Sequence, residues 1–156
     1  MKAAGATPVV APEKNLRADV ETIIKLTNSN TKLCYIANPN NPTGTYLSTK
    51  ELVSLRHGLP EETILVIDSA YAEYVEESDY SDGINLVNQY NNIACTRTFS
   101  KIYGLAALRI GWMYASHDII KYMNRVRLPF NTNSIAQIAA IEALKDDDFI
   151  KNAKTH

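Results

Sequence analysis

Four short apolar runs separated by helix-like stretches constrain this chain more than any other feature. Lys32–Ala37, Thr63–Ile67, Asn92–Thr96 and Ile110–Ala115 each suit one strand and are too short for a helix. Thr7–Ala11 adds a short extended run ahead of them. Between the runs, Leu16, Val20, Ile23, Ile24 and Leu26 fall near helical spacing, so a helix is expected over Leu16–Leu26, ended by Asn28-Ser29-Asn30. Ser48 and Glu51 stand at capping-box spacing and predict a helix over Thr49–Arg56, which Pro60 closes. His117–Val126 and Asn133–Leu144 read as amphipathic helices separated by Pro129-Phe130-Asn131. Strands that are apolar throughout belong in sheets covered on both faces. The expected fold is therefore α/β, a three-layer sandwich around a mostly parallel central sheet. At 156 residues the chain can bury about 70% of its unfolded surface in one core.

In such sheets chemistry sits just beyond the carboxyl ends of the strands, and three polar clusters fall there. Asn38–Gly44 (NPNNPTG) is a rigid turn, because proline fixes φ, glycine permits positive φ, and either Asn-Pro bond can be cis. Such a turn can be purely structural or can hold an amide toward a ligand. Asn41 is the better candidate, since Pro42 fixes the chain directly after it. Asp68 ends the run Ile64–Ile67. A nucleotide-bound Mg²⁺ reading would need a Gly-Lys-Ser/Thr phosphate loop, which the sequence lacks; a helix N-cap role stays open beside a ligand role. Tyr71 is close enough to share a site with Asp68 or to pack in the core. The third cluster places Thr98, Ser100, Lys101 and Arg109 around a short apolar turn. Lys101 stands among Phe99, Ile102, Tyr103 and Leu105, where desolvation would lower an amine's pKa and make it nucleophilic. The alternative is a lysine snorkelling over a core edge.

Other features narrow the field. Sixteen basic and seventeen acidic residues nearly cancel, with no basic patch for nucleic acid or a membrane surface. No apolar run can span a bilayer, and Met1–Gly5 carries no apolar signal core. Cys34 and Cys95 lie in apolar runs without metal-ligand spacing, which fits two buried thiols in a reducing cytoplasm. His57, His117 and His156 are read as helix-end or terminal residues, Trp112 as core, and Asp146–Asp148 as a solvated helix junction. Glu73 can line the site or face solvent. Arg97 is expected to support the loop or a subunit contact.

The motifs NPNNPTG, DSAYAEY and TRTFSKIYGLAALRIGW together resemble the fold-type I aminotransferases that use pyridoxal 5′-phosphate. The resemblance runs from about Ala3 to the C-terminus, and it implies part of the large domain of that fold. Within the superfamily, TRTFSK and Arg127–Asn131 look most like the histidinol-phosphate aminotransferase branch. The resemblance implies that Lys101 attaches the cofactor covalently and shuttles a proton. It further implies that Asp68 pairs with the pyridine nitrogen, that Asn41 and Tyr71 donate to the ring 3′-oxygen, and that Arg109, Thr98 and Ser100 hold the phosphate.

The family pattern extends beyond this chain at both ends. A phosphate-cradling glycine loop, a ring-stacking aromatic residue, a tyrosine from the partner subunit and a C-terminal small domain have no counterpart among these residues. Met1-Lys2-Ala3-Ala4-Gly5 looks like an internal start, so a piece of a longer parent is expected, with residues 1–145 as partial cofactor domain and 146–156 leading toward the small domain. The implied parent is a cytoplasmic homodimer. It would transfer an amino group between a small amino donor and a keto acceptor, with histidinol phosphate and 2-oxoglutarate/glutamate of histidine biosynthesis as the first choice. Another aminotransferase of the superfamily, such as an aromatic one, and a noncatalytic truncated module are the alternatives.

Overall fold

The computed structural model describes residues 2–155; Met1 and His156, and the readings attached to them, lie outside the described residues. Strands β1 (Leu33–Ala37), β2 (Ile64–Asp68), β3 (Ile93–Thr98) and β4 (Gly111–Ala115) form one sheet in the order β1-β2-β3-β4. The first three are parallel, and β4 runs antiparallel to β3. Helices α1 (Val20–Leu26), α2 (Thr49–Gly58) and α3 (Ile84–Val87) intervene, and α4 (His117–Val126), α5 (Ser134–Ala143) and α6 (Asp147–Thr155) follow. The fold is thus α/β with a mostly parallel sheet flanked by helices, as its apolar runs predict. No helix among the described residues is long and apolar enough to cross a membrane.

Alternation along the strands sorts residues between the two faces. Cys34, Ile36, Leu65, Ile67, Ile93 and Cys95 pack with Ile23 of α1, Leu52 and Leu55 of α2, and Leu86 and Val87 of α3. Burial pushes the Cys34 thiol up to about 11 and the Cys95 thiol up to about 12, so both stay protonated packing groups. The opposite face carries buried Val66 and Ala94, whereas Leu33 and Tyr35 of β1 are exposed.

Several local expectations need correction. The first helix begins at Val20 rather than Leu16, because Asn15 (φ 54) and Leu16 (φ 61) take left-handed backbone that no helix interior tolerates. Thr7–Ala11 joins no strand. Trp112 is not core: β4 is the sheet's last strand, and this ring is 41% exposed. Helix α4 buries none of its residues, and α5 buries Ala136 and Ala140 while Ile135, Ile138 and Ile141 face outward. The reading of Asp146–Asp148 as a solvated helix junction agrees with the structure: all three are exposed at the junction of α5 and α6, and Asp147 and Asp148 fall in the first turn of α6, where the helix dipole favours negative charge.

The capping box of α2 is fully formed. Glu51 N–H donates to Ser48 Oγ at 3.4 Å, and Ser48 N–H donates to Glu51 Oε2 at 2.8 Å. Arg17 then grips both oxygens of Glu51, at 2.6 and 2.5 Å. These donors, led by Arg17, hold the Glu51 carboxyl down at about 2. A depressed carboxyl stabilises the fold above its unfolded value and loses that contribution as pH falls toward the folded one. Glu51→Gln is therefore expected to cost about 1 kcal/mol at pH 7. In urea unfolding, the gap from wild type should shrink as pH drops from about 4.5 toward about 2. A gap that does not change with pH would sink this account.

Candidate functional site

The strand ends deliver the three polar clusters to one edge of the sheet. After β1, Asn38 is fully buried: its Oδ1 accepts from Leu47 N–H at 2.7 Å, and its Nδ2 donates to Leu47 O at 3.1 Å. Asn38 is spent on the fold and Asn40 Nδ2 donates to Glu13 and Thr43, which leaves Asn41 as the exposed amide of the loop. Both Asn-Pro bonds are cis, and Gly44 (φ 69) closes the turn with its N–H on Asn40 O at 2.9 Å. Asn41 Nδ2 donates to Tyr71 Oη at 3.0 Å.

Asp68, at the end of β2, holds a tight turn rather than a helix N-terminus. Its Oδ1 accepts from Ala70 N–H at 3.2 Å, and the following 3₁₀ turn starts only at Ala72. Its Oδ2 accepts from the Tyr35 phenol at 3.0 Å. Sequence reasoning missed Tyr35, although a signal existed. Ala37 lies opposite Asp68 in register, so Tyr35, two residues earlier, shares its face. Thr96 lies opposite Asp68 on the other side, and its buried hydroxyl has no partner.

Lys101 lies beyond β3 and is exposed, not desolvated. Its apolar neighbours Phe99 and Ile102 turn inward to 6% and 1% exposure while the lysine stays out. Its Nζ stands 4.9 Å from the centroid of the Tyr71 ring, a cation–π distance that links it to Tyr71 and Asn41. Thr98 Oγ1 accepts from Ser100 N–H at 3.0 Å. Arg109 Nη1 reaches Ser100 Oγ at 3.3 Å and Ala106 O at 2.6 Å. Arg109 adopts left-handed backbone (φ 55), strained for a non-glycine residue, and this bends the chain back toward Ser100.

Glu73 does not face solvent. Arg97 donates to Glu73 Oε1 at 2.5 Å and to Asp82 Oδ2 at 2.6 Å, and the arginine and Glu73 side chains are only 12% and 13% exposed. The Arg97 guanidinium also lies 5.5 Å from the Trp112 ring. Arg97 thus ties β3 to the turn carrying Tyr71, the loop-supporting role expected of it. A hollow of about 490 Å³ opens beside this ion pair, and a cleft of about 400 Å³ is lined in part by Asn41 and Tyr71. Neither is lined by Lys101 or Asp68.

A lysine, a carboxylate, an amide–phenol pair and an arginine with two hydroxyls thus share one sheet edge. The family model for aminotransferase class I and II matches residues 1–156. The chain belongs to this family. Among aminotransferases it is 53% identical, over 152 residues, to the histidinol-phosphate aminotransferase of Rhodopseudomonas palustris (strain BisB18), covering 97% of this chain. It is 51% identical over 152 residues to that of Pelagibacter ubique (strain HTCC1062), again covering 97% of this chain. The chain spans 42% of the length of each of these two relatives. The crystal structure of histidinol-phosphate aminotransferase from Sinorhizobium meliloti in complex with pyridoxal-5′-phosphate superposes with a TM-score of 0.86 at 34% identity. That match covers 94% of this chain and 40% of the other.

Proposed function

We propose that this aminotransferase segment carries the cofactor-holding edge of a pyridoxal-phosphate enzyme that acts on histidinol phosphate with glutamate/2-oxoglutarate. The observation that supports it most is the juxtaposition of Lys101 Nζ with the Tyr71 ring, whose hydroxyl is held by Asn41. The donor set suits such a cofactor. An amine for its aldehyde, a carboxylate for its ring nitrogen, a phenol–amide pair for its ring oxygen and an arginine with two hydroxyls for its phosphate all lie at one sheet edge. The unpartnered Thr96 hydroxyl, opposite Asp68, leaves one more polar group unsatisfied on that face.

When bound, the cofactor supplies an electron-withdrawing ring that tolerates the electron pair left at the donor's Cα. The remaining work falls to residues of this chain. Lys101 Nζ would hold the cofactor at its aldehyde carbon, with water as the leaving group, and, once the donor's own amine has displaced it, would be the free base that takes the proton from the donor's Cα. Asp68 holds a positive charge on the ring nitrogen, because an anion beside a base favours its protonated form. Asn41 and Tyr71 orient the ring oxygen. Arg109, Ser100 and Thr98 clamp the phosphate by charge-assisted hydrogen bonds. The intact enzyme in this reading is a cytoplasmic homodimer.

Borohydride reduction of the pyridoxal-phosphate-treated protein, followed by peptide mapping, tests the reading. The expected product is one modified peptide containing Lys101. Modification of a different lysine, or none, would overturn the assignment. A substrate panel on the intact enzyme tests the specificity: phenylpyruvate turned over with histidinol phosphate ignored would reject the proposed substrate.

A further inference from the structure

Asp68 has two oxygens, and neither is left to rotate freely. Ala70 N–H donates to Oδ1 from within the same turn, at 3.2 Å. Tyr35, from the neighbouring strand and thirty-three residues earlier in the chain, donates its phenol to Oδ2 at 3.0 Å. The carboxylate plane is thereby fixed between a local backbone donor and a rigid side chain. Tyr35 has two χ angles and is carried by a hydrogen-bonded strand, so the restraint costs little entropy. Burial, and next its bond to Asp68, push the Tyr35 phenol above its ordinary range, consistent with a donor facing an anion. Nothing in the core requires this hydroxyl: Tyr35 is 53% exposed and lies on the face away from the main apolar cluster.

We infer that Tyr35 is a positioning residue that fixes the orientation of the Asp68 carboxylate. The inference rests on the proposed function, in which that carboxylate must face the ring nitrogen of the cofactor. A carboxylate free to rotate about its last torsion offers a correctly aimed oxygen only part of the time, and each misaimed rotamer weakens the hold. Ala37 of β1 and Thr96 of β3 flank Asp68 in register; Tyr35, two residues before Ala37 on the same face, is the side chain that bonds Oδ2.

The test has a readout that needs no cofactor. Ultraviolet titration of the phenols, wild type minus Tyr35→Phe, isolates one of the nine tyrosines. It should reveal a phenol that ionises above the ordinary tyrosine range near 10. In Asp68→Asn the same difference spectrum should move down toward that range. A Tyr35 titration indifferent to Asp68→Asn would overturn the inference. The second readout is the dissociation constant of pyridoxal phosphate, expected to weaken about fivefold in Tyr35→Phe, the size of one ordinary net hydrogen bond, since the lost bond acts on the cofactor only through Asp68. Circular dichroism should stay unchanged. Equal affinity in wild type and Tyr35→Phe would also overturn it. Should the wild type bind no pyridoxal phosphate, the functional reading fails instead, and the phenol titration alone decides whether Tyr35 positions Asp68.

Discussion

Replacing Lys101 with alanine should lower transamination by the intact enzyme by at least about 10⁴-fold, with the fold unchanged. One amine performs two tasks in the proposed chemistry, binding the cofactor and moving the Cα proton. Its removal takes away both, and nearby groups replace neither. Lys101 is exposed, and its replacement opens no core cavity. Lys101→Arg separates the two possible uses of the residue. Guanidinium keeps a cation near the Tyr71 ring but stays protonated, so it can neither attack a carbonyl nor accept a proton. If the lysine served only the cation–π contact seen here, arginine would preserve activity. The expected outcome is that both variants are equally inactive in single-turnover assays. Residual activity within tenfold of wild type in either would remove Lys101 from the catalytic role.

Arg97→Leu should destabilise the chain by about 3–5 kcal/mol, the usual cost of leaving buried charges without their partner. Glu73 and Asp82 both pair with this guanidinium, and the Glu73 side chain is only 13% exposed. Its Oε2 already has no partner, so removing Arg97 would leave the whole carboxylate unpaired where it is largely shielded from solvent. The combined variant Arg97→Leu/Glu73→Leu/Asp82→Asn should regain most of the loss, because it removes the stranded charges with their partner. Urea unfolding of the three proteins checks both statements. A single variant within about 1 kcal/mol of wild type would show the ion pairs to be effectively solvated. Glu73 follows Tyr71 by two residues and Arg97 precedes Thr98, so the same loss should loosen the approach of Lys101 to Tyr71.

Much of this was legible in the sequence, for identifiable reasons. Strand positions followed from runs too short for helices, and the start of α2 from a capping box that formed in full. Asn41, Asp68, Tyr71 and Lys101 stood out because polar residues directly after buried strands have few structural uses. Two residues stayed unread for one cause: each depended on a partner distant in sequence. Glu73 stayed open between lining the site and facing solvent until Arg97 was placed beside it, and Tyr35 looked like a strand residue until register set it on the face of Asp68. Lys101 misled in the opposite direction. Its apolar neighbours in sequence pack inward, and a turn points the lysine away from them. Leu16 has helical spacing but sits in left-handed backbone, which spacing does not encode.

The reversal of β4 has a further consequence. Because Gly111 pairs with Thr98, and Phe99 N–H bonds Ile110 O at 3.1 Å, residues 98–111 form a loop stitched shut at its own base. The amine and the guanidinium therefore hang from a single tether whose length no other element can adjust. Its base is also tight: a Cβ at Gly111 would lie 2.6 Å from Arg97 O. A residue inserted between Gly104 and Ile110 could not be absorbed by sliding β4, since a one-residue slip turns every β4 side chain to the other face. The interval between Lys101 and Arg109 thus behaves as a fixed gauge. An added residue would have to bulge outward from the loop or else carry Arg109 out of step with Lys101.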